Sequence, residues 1–186
     1  MRPELKAIMQ SFDLKPTAEN PVFSHIGTAG PWEVASLVTG MGPRLAREAT
    51  QKVLAAGPFD HVMVVGIAGG LMTTDGLFDG EDVWRPILER GFGAVDMEAA
   101  GVAEVCEAAG VAWSVYRGIS DRPDEHIVDQ AVFSLSKPDG SADPVALAKY
   151  LARDPRRAKA LAHLNRCMQA AATLAADAAF ADLSAS

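Results

Sequence analysis

Cysteine is almost missing from this chain: Cys106 and Cys167 are the only two in 186 residues, and both sit among apolar residues of predicted helices. That excludes a disulfide framework or a cysteine metal cluster and reads as two buried thiols in a reducing compartment. Histidine is nearly as sparse, with four residues scattered without ligand spacing, so neither a metal nor another cofactor is implied. No apolar run reaches the roughly 18 residues that a membrane span needs. The first ten residues carry charges where a secretory signal would need an apolar stretch, which leads us to expect a cytoplasmic protein. Positive charge is in the minority, 17 Lys and Arg against 24 Asp and Glu, and the resulting net charge of −7 argues against a nucleic-acid surface. No repeat of domain-building period is visible. What is present is one domain's worth of chain, residues 1–186, with 49% apolar residues, ample for a core.

The most informative stretch spans residues 94–121. An apolar step at Ala94 and Val95 leads through Asp96, Met97 and Glu98 into a helical pattern carried by Ala100, Ala103, Val105 and Cys106, which Gly110 ends. Residues 111–116 are β-branched and aromatic-rich, short enough for a buried strand, and are closed by Gly118 and the polar turn at Ser120, Asp121, Arg122 and Pro123. The sum is a strand, a crossover helix and a second strand. Such units pair parallel and right-handed, which predicts that Glu98 and Asp121 both emerge at the carboxyl edge of one sheet, around one small-molecule site. Each acid also has a plainer reading. Glu98 suits the positive end of a helix dipole, and Asp121 suits a turn cap.

The rest of the chain supplies further elements. Residues 2–9 read as a short helix, 22–26 as a short strand in a turn-rich region, and 33–38 as a strand. The last runs into the Gly40-Met41-Gly42-Pro43 turn and a helix over 44–56. That turn either presents backbone N–H groups to an anion or ribose or is an ordinary tight turn. Residues 61–65 form an uninterrupted apolar strand of the kind buried on both faces in a parallel sheet, ending in Gly66, Ile67, Ala68, Gly69 and Gly70. A helix over 82–90 contains Pro86, a polar loop with a surface His126 follows the central unit, and two helices close the chain. Asp143 with Pro144, and again Asp154 with Pro155, have the form of an N-cap and a first helical residue. The final helix, over 155–179, carries Leu161, Leu164, Met168 and Leu174 as its packing face, and residues 181–186 should fray.

The string Val95-Asp96-Met97-Glu98-Ala99-Ala100, followed by Arg117-Gly118-Ile119-Ser120-Asp121, resembles the signature of the nucleoside phosphorylase and nucleosidase superfamily, in particular the methylthioadenosine/S-adenosylhomocysteine nucleosidases. The resemblance implies an α/β fold, a three-layer sandwich with a mixed, mostly parallel central sheet. It also implies cleavage of the N-glycosidic bond of a purine nucleoside, favouring adenine, in a homodimer. Asp121 then protonates the leaving purine, Glu98 with Met97 holds the ribose, and Glu4 matches the family's water-activating acid. Gly40, Gly42, Ile67, Ala68 and Gly69 become the backbone turns near ribose or anion; Asp75, Leu77, Phe78 and Ser120 become the base site. For Glu4 a solvated first-turn acid, and for Leu77 and Phe78 plain core, remain open readings.

There are departures. The family's apolar strand ahead of the first helix is not in this sequence, and Ile67 stands where many members have serine. About 40 residues are also missing after Leu71, judged against the ~100–150 residues of an ordinary domain. The glycine turn carries no phosphate-gripping arginine, which favours hydrolysis over phosphorolysis, with Arg44 and Arg117 left as unassigned cations. Phosphorolysis, including of adenosyl-lipid substrates as in hopanoid-linked relatives, and a catalytically silent nucleoside-binding protein are the two alternatives.

Overall fold

The computed structural model describes residues 3–18, 20–68, 81–91, 95–121, 128–137 and 141–185. Its centre is a parallel pair, β4 (His61–Ala68) and β5 (Ala112–Ile119), in register from His61 opposite Ala112 to Ala68 opposite Ile119. The alternation of β4 explains its unbroken apolar sequence. Val62 and Val64 pack with Ala46, Val102 and Cys106, from helices α2 (Pro43–Ala55) and α4 (Ala99–Ala109). Val65 and Ile67 pack with Ala7 of α1 (Pro3–Ser11) and with Ala172 and Ala176 of α7 (Arg157–Ala185). With helices on both sides, neither face of the strand can carry a polar residue without a partner.

The remaining strands form their own antiparallel sheet in the order β1 (Lys15–Pro16), β2 (His25–Ala29) and β3 (Trp32–Ser36). Gly30, at φ 58°, supplies the positive dihedral of the two-residue connection between β2 and β3. Helix α3 (Glu81–Glu89) runs through Pro86, α5 (Gln130–Phe133) is a single turn, and α6 (Pro144–Arg153) precedes α7. Among the described residues, no helix is long and apolar enough to cross a membrane.

Several expectations are corrected here. Of the step expected at 94–95, Ala94 lies outside the described residues; Val95 and Asp96 form no strand beyond an isolated bridge at Asp96, and the described parallel partner of β5 is β4. The two sheets are separate among the described residues, so a single mixed central sheet is not formed by them. Helix α7 continues to Ala185 instead of fraying at 181, because Phe180 stacks edge-on with Phe12 at 5.4 Å and Asp182 accepts a hydrogen bond from the Tyr116 hydroxyl. Its packing face is mostly alanine: Leu164 is buried as expected, together with Ala171, Ala172, Ala175, Ala176 and Ala179, while Leu174 is 68% exposed. The reason is proximity. A Cβ on Gly118 of β5 would collide with the Ala171 carbonyl, so helix and strand touch backbone to backbone, where only small residues fit. Cys106 is buried as expected, whereas Cys167 is half-exposed beside His163. The Asp143 carboxylate caps α6, accepting from the Val145 and Ala146 amides.

Candidate active site

Parallel pairing sends the carboxyl ends of β4 and β5 to one edge, and the sequence places its acids there. Beyond β5, Ser120 donates its backbone N–H to the Ala68 carbonyl at 3.1 Å, extending the pairing by one residue, and its hydroxyl donates to Asp121 Oδ1 at 2.6 Å. Asp121 therefore has one oxygen oriented by its neighbour, and among the described residues no partner holds the other. From the opposite side, Glu4 in the first turn of α1 accepts the Ile67 N–H at Oε1, 3.1 Å away. Gly66 is where these groups converge. An added Cβ there would lie 2.5 Å from Arg117 Nη1 and 2.7 Å from Glu4 Oε1, so only glycine leaves both side chains in place.

Glu98, the N-cap residue of α4, is clamped at both oxygens. Oε1 accepts the Gly42 N–H at 3.1 Å, and Oε2 accepts from Arg117 Nη2 at 3.0 Å. Gly42 reaches it through φ 96°, a conformation that favours glycine, just ahead of Pro43 at the start of α2. Gly40, at φ 86°, belongs to the same turn. Burial pushes the Glu98 carboxyl above its usual value; Arg117 and the Gly42 amide pull it down, and Asp96 and Glu4 push it up.

Arg117 is the residue whose role the sequence left open. It rises from the middle of β5 with only 4% of its side chain exposed, bonding Asp96 Oδ2 from Nε at 3.1 Å and from Nη2 at 2.7 Å, and Glu98 from the same Nη2. Its Nη1 donates to the Ile67 carbonyl at 3.3 Å. Asp96, 1% exposed at its side chain, also accepts the Ala99 N–H at 3.0 Å. An arginine inside an otherwise apolar strand was the available signal, since burying it demands a carboxylate partner. Arg44 is turned along α2 into an ion pair with Glu48 at 2.6 Å.

Glu4, Gly40, Ile67, Ala68, Met97, Glu98, Arg117, Ser120 and Asp121 line one cavity of about 1360 Å³. The structure thus brings the two carboxylates, the acid of α1 and the turn of Gly40 to one place. Gly69, Asp75, Leu77 and Phe78 lie outside the described residues. Chemically the site offers an oriented carboxyl, a carboxylate fixed by an arginine and an amide, and a third acid, within largely apolar walls.

No family model matches the sequence, and no curated protein does. Solved structures do. The chain is similar to the 5′-methylthioadenosine/S-adenosylhomocysteine nucleosidase of Helicobacter pylori bound to butyl-thio-DADMe-Immucillin-A, with 17% identity, TM-score 0.63, and 100% of this chain and 94% of that one covered. It is similar to the S. pneumoniae nucleosidase of the same kind bound to a transition-state inhibitor, with 12% identity, TM-score 0.65 and coverage of 100% and 96%. It is likewise similar to the futalosine hydrolase of Helicobacter pylori, with 16% identity, TM-score 0.63 and coverage of 100% and 94%. These are proteins of the nucleoside phosphorylase and nucleosidase superfamily, and the α/β fold of this chain is theirs.

Proposed function

We propose that this chain is a purine nucleosidase that hydrolyses the N-glycosidic bond of adenine nucleosides such as methylthioadenosine or S-adenosylhomocysteine. The observation that carries this reading is the clamped Glu98 in one cavity with Asp121 and Glu4. As the bond to N9 breaks, its electron pair goes to the base and positive charge develops on the ribose. Asp121, protonated at the oxygen that Ser120 does not hold, gives its proton to N7 of the purine. Glu98, with Met97 beside it, accepts the ribose hydroxyls, and its charge stabilises the cationic sugar. Glu4, held through Oε1 by the Ile67 amide, takes a proton from the water that attacks the anomeric carbon. Adenine and a free sugar leave, and solvent resets both acids. We also read the working form as a homodimer, as the resemblance of the 95–121 segment implies.

Both candidate phosphate-binding cations of the described site are occupied, Arg44 by Glu48 and Arg117 by Asp96 and Glu98, which favours water over phosphate as the nucleophile. Adenine release should proceed in phosphate-free buffer at a rate that added phosphate leaves unchanged, with the sugar recovered unphosphorylated. Release that requires phosphate and yields a sugar 1-phosphate makes the protein a phosphorylase and leaves Glu4 a structural acid. Absence of release in either buffer, with nucleoside still bound, leaves a binding protein.

Glu98 can accept from both ribose hydroxyls only while ionised, and its carboxyl is held above the ordinary value of 4.5. Nucleoside affinity is therefore expected to weaken as pH falls through that raised value, beginning above the usual glutamate range, and to become insensitive over that window in Glu98→Gln. Removing the 2′ hydroxyl should cost on the order of 1–3 kcal/mol, because a buried acceptor is left unsatisfied. Calorimetry with adenosine and 2′-deoxyadenosine across pH measures both effects. Equal affinities, or a pH dependence that survives Glu98→Gln, would remove Glu98 from the ribose site.

A further inference from the structure

Charge is segregated along this chain. Residues 144–174 hold six of its 17 Lys and Arg but only one of its 24 Asp and Glu, and no acid stands between Asp154 and Asp177. The acidic excess thus lies entirely in the remainder. In the fold the basic stretch is α6 and the first part of α7. Arg156, just ahead of α7, and Lys159, His163, Arg166, Ala170 and Leu174 within it recur at intervals of three and four, which puts them on one side of the helix. All six are exposed, and the stripe they form is roughly 27 Å long at the α-helical rise. The opposite side is the one that packs, with Leu164, Ala171, Ala175 and Ala179 buried. Asp154 is taken up locally, accepting the Arg156 N–H at 3.0 Å and lying 4.0 Å from Arg157 Nε. Among the described residues Arg153, Arg156, Lys159 and Arg166 make no ion pair. Cations gathered in this way repel one another, and an anionic partner relieves that repulsion.

We propose that this stripe docks the protein on the anionic headgroups of a lipid bilayer surface. Arg156, Lys159 and Arg166 reach the headgroup anions, Arg153 at the end of α6 adds a fourth cation, and Leu174, 68% exposed, enters the interface. Shape favours lipid as the partner. The outward side of a helix is convex and offers no groove for a peptide, whereas a plane of headgroups needs none. Composition agrees, since Ala160 and Ala170 stand among the charges where a protein interface would carry aromatic anchors. Tyr150, the sole aromatic of residues 144–174, is half-buried with the Arg157 guanidinium 4.4 Å over its ring, so no platform for stacking a base is presented. The net charge of −7 does not oppose contact, because exposed charges are screened beyond about 8–10 Å and the stripe is what touches. It sets the orientation instead: any other approach meets like charge. The same helix lines the cavity with Leu164 and Met168, so docking places the candidate active site one helix away from the bilayer surface.

The test is co-sedimentation of the full chain with phosphatidylcholine vesicles that contain or lack phosphatidylglycerol. The anionic vesicles are expected to bind at least about tenfold more tightly, an advantage that shrinks as salt is raised. Each neutralised cation should cost about fivefold, so Arg156→Gln, Lys159→Gln and Arg166→Gln combined should cost about a hundredfold with the melting temperature unchanged. Lys52→Gln, at an exposed position of α2, should cost nothing. Leu174→Ser should weaken binding to the anionic vesicles as well, which separates entry into the interface from attraction alone. Equal binding to the two vesicles, or a triple variant that keeps the parent's affinity, overturns the proposal. So does a triple variant that changes the oligomeric state of the free chain without changing vesicle binding, since the stripe then joins two copies. Binding to duplex DNA as tight as to the anionic vesicles, and indifferent to Leu174→Ser, would make the stripe a general polyanion site and overturn it too. Because nothing in this readout requires catalysis, it stands or falls separately from the nucleosidase reading.

Discussion

Asp121→Asn is expected to leave the fold intact and to lower adenine release by two orders of magnitude or more. The substitution is nearly isosteric, and the side-chain carbonyl can still accept the Ser120 hydroxyl that Oδ1 accepts at 2.6 Å, so the end of β5 should keep its conformation. What the amide cannot do is transfer a proton to a base that leaves with its bonding electrons. General acid catalysis contributes about 10²–10⁴-fold, and the loss should fall on kcat with KM little changed, because an amide N–H can still bind N7. A riboside whose leaving group departs as a stable anion separates this role from a positioning role, since it needs no proton and should lose far less in the variant. Adenine release within threefold of the parent, with an unchanged melting curve, would return Asp121 to the status of a turn cap.

What could be read from the sequence was local. The apolar run of β4, the break at Gly110, the strand of β5 and the cap at Asp143 each follow from a few neighbouring residues, and the structure has all of them in place. Pairing was less legible. Composition at 94–95 does not say whether a partner lies alongside, and among the described residues the partner of β5 is β4, some fifty residues upstream. The packing face of α7 was read only in part, at Leu164, for a related reason. Leucines mark a helix face in sequence, but the close approach at Gly118 demands alanines, and that demand arises on a different element. The candidate site divides in the same way. Glu98, Asp121 and Glu4 were identified as acids at element ends, whereas the bond from Gly42 to Glu98 and the pairing of Arg117 with Asp96 are contacts between distant segments that no local pattern encodes.

That buried arginine carries the other large expectation. Arg117→Leu should destabilise the fold by about 3–5 kcal/mol, because it removes the guanidinium shared by Asp96 and Glu98, whose side chains are only 1% and 18% exposed. The Ile67 carbonyl, which accepts from Arg117 Nη1 at 3.3 Å, loses that donor as well. Arg117→Lys should retain part of the stability but not the fork that reaches both carboxylates, and its nucleoside affinity should fall as Glu98 loses orientation. The pH dependence has a definite sign. Glu98 has a raised carboxyl pKa in the folded state, so the stability it contributes is fully present below its unfolded value near 4.5 and is lost as pH rises through the folded value. Without Arg117 one of the two influences holding that value down disappears, so it rises further, and the deficit of Arg117→Leu should be smallest in acid and grow toward neutral pH. Urea unfolding of both variants at several pH values reads this directly. A deficit below about 1 kcal/mol at neutral pH, the value of an exposed pair, would mean that water reaches these carboxylates and that Arg117 is not what holds Glu98 in place.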